Sequence, residues 1–154
     1  MNNDKLTFLR IEFIEHLKSL SPDTIPAFGK MNVQQMVEHM SDSIRIANGK
    51  DPHSIVTPHE RLPLMKDFIM SERDFRPNTP NSLLGDKPVP CKNASLTEAI
   101  IELDMEIKDF ITYFESHDGL TSTNPFFGVL NYAEWVQGLH KHAIHHLRQF
   151  GVAV

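Results

Sequence analysis

Apolar positions recur three and four residues apart in four stretches of the chain, the spacing of helices that bury one face. The first stretch covers about residues 4–20, with Leu6, Leu9, Phe13, Leu17 and Leu20 on one stripe. Ser21-Pro22 closes it, because a residue before proline avoids the α region. The second covers about residues 32–48, with Val33, Met36, Val37, Met40, Ile44 and Ala47 inward and Gly49 as its stop. The third opens on Ser95 with Glu98 at capping-box spacing, and turns Leu96, Ala99, Ile100, Leu103, Ile107, Phe110, Ile111 and Phe114 inward. The fourth repeats that spacing with Asn131 and Glu134 and ends at Gly151. Its apolar side is Trp135, Val136, Leu139, Ala143, Leu147 and Phe150.

Residues 50–94 connect the second and third helices and hold seven of the ten prolines. Thr57-Pro58 starts a short helix through residues 59–71, and FRPNTPNSLLGDKPVPCKN reads as irregular chain. So long a connection in a compact domain is functional or mobile, and this one is expected to cover an end of the molecule. No repeat and no strand stands out. Phe126-Phe127, just ahead of the fourth helix, read as exposed and suited to a lid or a dimer contact. Helices of roughly 16–20 residues span about 25–30 Å, enough to share one apolar core. The expected fold is all-α, a four-helix bundle of up-down-down-up type with a long connection between helices two and three, in a single domain over residues 1–154.

Composition narrows the function classes. Hydrophobic residues make up 40% and charged residues 23%, as in ordinary globular domains. A net charge of −5 with no basic run argues against nucleic acid or an anionic membrane as partner. No apolar run approaches the roughly 20 residues that span a bilayer, and the N-terminus lacks the pattern of a secretion signal. One cysteine, Cys91, allows no internal disulfide, so a reducing cytoplasm is expected. Cys91 has no neighbouring base and reads as an incidental thiol.

Histidine is the unusual residue. There are nine, and four crowd into residues 140–146. Each residue turns about 100° around a helix axis, so these four cannot share one site. His142 and His146 fall on the stripe with Leu139 and Gln149, one turn apart on the core side. His145 falls with Glu134, Gly138, Lys141 and Arg148 on what reads as the solvated face, and His140 lies between the two. Imidazoles at i and i+4 can reach one ion, and a third ligand must come from another helix. His39, between Met36 and Ser43 on the second helix, is the best placed. His16 lies off the main stripe of the first helix, and His53, His59 and His117 fall in loops or at a helix end. A pair of histidines at this spacing is also compatible with a purely structural role. Uncompensated imidazoles on a core face cost desolvation, however.

The segments MNVQQMVEHMSDS and HAIHHLRQF resemble the DinB/YfiT-like superfamily of metalloenzymes. A branch of unknown function is similar across residues 29–151, through Pro125-Phe126-Phe127-Gly128, Trp135 and the run from Lys141 to Gly151. Met31 stands where many members carry tryptophan. The resemblance implies a four-helix bundle and a three-histidine site of His39, His142 and His146.

Three neutral imidazoles leave a divalent ion with open positions, as in catalytic sites. Zinc or nickel is expected first, with iron, cobalt or copper as alternatives. Water in an open position is acidified toward a pKa of about 7, which supports hydrolysis, or the ion can hold a thiolate. The resemblance implies both, since the superfamily includes thiol-dependent S-transferases and metal-dependent hydrolases. Gln35, Asp42, Ser43 and Gln149 are placed to orient a ligand or a bound water. No residue stands out as a catalytic acid, base or nucleophile. The expected partner is a small-molecule substrate, including a low-molecular-weight thiol, and a homodimer is open. The alternative is a non-catalytic bundle with a vestigial site, serving binding or dimerisation.

Overall fold

The computed structural model describes residues 1–78 and 87–154, and these are mostly helical. Helix α1 covers residues 3–19 as Asn3–Thr7, a wider i→i+5 stretch Phe8–Glu12, and Phe13–Ser19. Helix α2 is Val33–Ala47, α3 is Leu62–Met70, α4 is Leu96–Glu115 and α5 is Tyr132–Gln149. Strands β1 (Thr121–Asn124) and β2 (Gly128–Asn131) stand between α4 and α5.

The helix starts follow their capping residues. Asn32 with Gln35, and Asn131 with Glu134, form complete capping boxes. Ser95 accepts the Glu98 amide at 3.2 Å, but the Glu98 carboxylate reaches back to Ala94 rather than to Ser95. In α1 the buried residues step by five, from Phe8 and Leu9 to Phe13 and Ile14. A wide turn keeps both pairs inward where 3.6-residue geometry would rotate one pair away.

The apolar stripes close into one core. Phe13 and Leu17 of α1, Met36 and Met40 of α2, Leu103 and Ile107 of α4, and Leu139 and Leu147 of α5 are all buried in it. At the far end of α2, the buried carboxylate of Glu106 on α4 binds Arg45 at 3.1 Å, Lys50 at 3.0 Å and the Asn48 amide at 2.9 Å. That cluster pins the end of α2 to α4.

Three expectations are corrected. The chain does contain strands: β1 and β2 pair antiparallel from Thr121–Asn131 to Asn124–Gly128. The three-residue loop between them is built on Asn124, whose Oδ1 accepts from the amides of Phe126 and Phe127. It closes through Gly128 at φ 85, a left-handed position that suits glycine. Four-residue strands, one of them wholly polar, leave almost no alternation to read. Phe127 is buried rather than exposed, and Phe126 is half-buried. The Ser122 hydroxyl donates to the Ala47 carbonyl at 2.6 Å, so the hairpin also caps the end of α2.

Part of the connection from α2 to α4 covers the face of α5 expected to be solvated, while residues 89–93 bond α2. Ile69 is the buried residue of α3 and sits against Gly138. Lys66 pairs with Glu134 at 2.9 Å, Gln137 donates to the Ser71 carbonyl, and Arg148 pairs with Asp74 at 2.7 Å. As a result most of the face of α5 that reads as solvated is covered: Gly138 and Lys141 are buried, Glu134 and His145 are half-buried, and Arg148 stays exposed. The expected helix over 59–71 is present as a 3-10 turn at His59–Arg61 running into α3. Part of the segment expected to be irregular, residues 79–86, lies outside the described residues.

Gly138 gives a prediction whose sign separates the two arrangements. On a solvated helix face, Gly138→Ala stabilises by up to about 1 kcal/mol. Here the added methyl collides with the Ile69 side chain. Urea denaturation is therefore expected to show a loss of about 1–3 kcal/mol.

Candidate metal centre

Helices α2 and α5 lie side by side in the core and bring together three histidines. His39 projects from the middle of α2, and His142 and His146 from successive turns of α5. The Nε2 of His142 is 3.1 Å from that of His39 and 2.9 Å from that of His146. One ligand atom from each residue falls within 4.8 Å of the other two. His146 is buried, while His39 and His142 are half-buried.

All three rings are held neutral. Burial is the first cause for each. It pushes His39 below the ordinary histidine range, against a nearby Asp42 charge that favours the protonated form. His142 is pushed well down, with the neighbouring His146 and His39 adding to the effect. His146 is pushed down to about 3 by burial and by His39, against its bond to Gln149.

Gln149 decides which nitrogen of His146 carries the proton. Its amide Nε2 donates to the Phe28 carbonyl at 3.0 Å, so its Oε1 is the atom that meets His146 Nδ1 at 2.7 Å. A carbonyl oxygen accepts, so Nδ1 bears the hydrogen and Nε2 presents a lone pair to the cluster. One hydrogen on His142 Nε2 cannot bridge both of its neighbours, since each close contact needs its own donor. The donor set therefore fits a divalent cation, which takes a lone pair from each ring at once.

The approach of Phe28 depends on Gly29. It sits at φ 75, and a Cβ there falls 2.8 Å from the Gln149 Nε2. The Ala27 amide also donates to the Gln149 carbonyl at 2.7 Å. The chain ahead of α2 is thereby fixed against the last turn of α5.

A family model described as the DinB superfamily matches residues 5–150. The chain belongs to the DinB superfamily. No curated protein and no solved structure matches it.

Within this DinB-superfamily chain the remaining sequence candidates occupy varied positions. Ser43 donates to the backbone carbonyl of His39 at 3.1 Å, so it touches the ligand residue but not its ring. Asp42 pairs with Lys92 at 2.9 Å and acts on His39 through its charge. Gln35 is occupied elsewhere: its Oε1 accepts the Asn32 amide and its Nε2 donates to the Val89 carbonyl. Among the other histidines, His16 and His140 are half-buried against Phe8, and His53, His59 and His117 are exposed. His145 is not solvated as its helical face suggests. It is half-buried between Phe28 and Phe75, at 5.2 and 5.9 Å between ring centres. Burial pushes it down, countered by its hydrogen bond to the Phe75 backbone.

Several residues near the site escape a reading of the sequence. Glu38, next to His39, is buried and accepts the Lys92 amide at 2.5 Å, the Asn93 amide at 3.3 Å and the Gln34 side chain at 3.1 Å. Burial alone raises a carboxyl, but these donors outweigh it and hold Glu38 below its ordinary value. Phe75 packs edge-on against His142 at 6.1 Å from an irregular segment whose sequence has no period to reveal it. Phe28-Gly29, a turn ahead of a capping box, is a signal that sequence could have offered.

Two predictions follow from this geometry. The folded-state values of the three histidines lie below the unfolded value of 6.5. Their contribution is complete above that pH and is lost as pH falls below it, because the unfolded chain then binds more protons. The metal-free protein is expected to keep its Tm from pH 8 to 7 and to lose Tm steadily from pH 6.5 to 5, less so in His142→Ala. A Tm independent of pH across that window contradicts the assignment. Gln149→Leu and Gly29→Ala both release the Nδ1 of His146, and are expected to weaken zinc binding by about 10–100-fold in competition with a chromophoric chelator.

Proposed function

We propose that this DinB-superfamily protein is a metal-dependent enzyme that holds one divalent ion, zinc or nickel first, through His39, His142 and His146. It acts on a small molecule, as a hydrolase or as a thiol S-transferase. The observation that carries this reading is the convergence of three neutral imidazole nitrogens, 2.9 and 3.1 Å apart, with the His146 lone pair aimed by Gln149. In this reading α1, α2, α4 and α5 make a four-helix bundle of up-down-down-up type with the site inside it.

A divalent ion bound by three protein ligands keeps an open position and supplies a Lewis acid that makes water or a thiol acidic near neutral pH. The chain's own residues do the rest. Gln149 holds the tautomer of His146, and Ser43 ties down the backbone at His39. Asp42 lends His39 a nearby negative charge. Both chemistries need an ion accessible from one side, which suits the half-buried state of His39 and His142.

Metal content tests this directly. Protein purified without a polyhistidine tag is expected to carry about one equivalent of a transition metal by plasma mass spectrometry. His142→Ala and His146→Ala are each expected to lose it, and EDTA to lower the Tm of the parent protein but not of the variants. A folded protein that binds no zinc, nickel or cobalt when they are offered, with a Tm blind to chelators, sinks the proposal and leaves a helical binding module.

A further inference from the structure

The strap of chain after α3 is held more firmly than a surface turn requires. Lys141, buried in α5, donates to the carbonyls of Ser71 and Arg73. His145 bonds the Phe75 backbone, and Arg148 pairs with Asp74. Residues spaced three and four apart on one face of α5 thus grip residues 71–75 along their length. The effect of all these bonds is to fix a single side chain against His142.

That side chain is Phe75. Its ring stands nearly perpendicular to His142 at 6.1 Å and rests on Phe127 at 6.3 Å and Phe68 at 5.5 Å. Phe28 lies on the other side of His145, at 5.2 Å, held by the bond from Gln149 to its carbonyl. Phe28, Phe75 and His142 are all half-buried. Phe75 therefore sets aromatic surface next to one of the three clustered histidines. Such walls favour apolar groups, and a charged or strongly hydrated group loses hydration against them without a partner in return.

We propose that Phe75 is a specificity-determining residue of the metal centre, selecting ligands whose metal-binding atom carries an aromatic or branched aliphatic group. This inference rests on the three-histidine reading and adds the class of substrate to it. It makes Lys141 a positioning residue, which acts through the strap and not on the ligand.

The test uses the full chain loaded with cobalt(II), whose visible spectrum reports each new ligand. Cobalt affinity is measured first, then benzyl mercaptan and 2-mercaptoethanol are titrated separately and followed by the thiolate-to-cobalt absorption. The parent protein is expected to bind benzyl mercaptan about tenfold more tightly than 2-mercaptoethanol. In Phe75→Ala that ratio is expected to fall to about twofold while cobalt affinity stays unchanged. Phe75→Leu keeps an apolar side chain in the strap and serves if the alanine variant does not fold; its ratio is expected between the two. Equal affinities in the parent protein, or a ratio unchanged in a folded Phe75 variant, overturn this inference and leave the metal reading standing. Failure to bind cobalt at all removes both.

Discussion

A helix enclosed on both faces has to find a partner for every polar group it carries, because an unpaired group in the interior costs desolvation with no return. Helix α5 is under that constraint. Its inner side presents His142 and His146 to the core, and its outer side presents Gln137, Lys141 and His145 to the strap of chain that follows α3. The inner rings find His39 across the interface with α2 and Gln149 one turn on. The outer groups find backbone carbonyls of residues 71–75. The histidine cluster and the wall beside it are both answers to one problem of burial.

This arrangement links stability to the site. The residues that tie down the strap and the turn at Phe28-Gly29 also set the tautomer of His146 and the place of Phe75. A close-packed interior leaves little slack between these roles. Gly138 shows the same linkage in packing: the absence of a side chain there lets Ile69 approach α5, and the segment after α3 follows it. At the opposite end of α2, the Glu106 cluster with Arg45, Lys50 and Asn48 fixes the helix that carries His39.

Much of the fold is legible in the chain because its helices declare themselves locally. The capping pairs Asn32–Gln35 and Asn131–Glu134, the 3.6-residue stripes and the stop at Gly49 each depend on neighbours a few residues away. The inward faces of His142 and His146 follow from the same periodicity. The hairpin at residues 121–131 does not, since four polar or mixed residues per strand carry too little alternation to register. The outer face of α5 is the most instructive miss. Glu134, Gly138, Lys141, His145 and Arg148 have the composition of a solvated face, and periodicity has no means of knowing that the chain after α2 covers all of them but Arg148.

By itself, then, the sequence determined which segments are helical, which stripe of each faces inward, and which two histidines of the cluster at 140–146 share a turn-to-turn line. Those properties depend on side-chain spacing around a helix axis, which is fixed by local geometry. Tertiary structure decided the remainder. It brought His39 to within 3.1 Å of His142, singled out Gln149 among the four polar residues expected to orient a ligand as the one bonded to a histidine ring of the cluster, and laid Phe75 against the cluster from about seventy residues away in the chain. Contacts between residues so far apart depend on how whole elements pack, and the spacing of residues within any one helix carries no record of that.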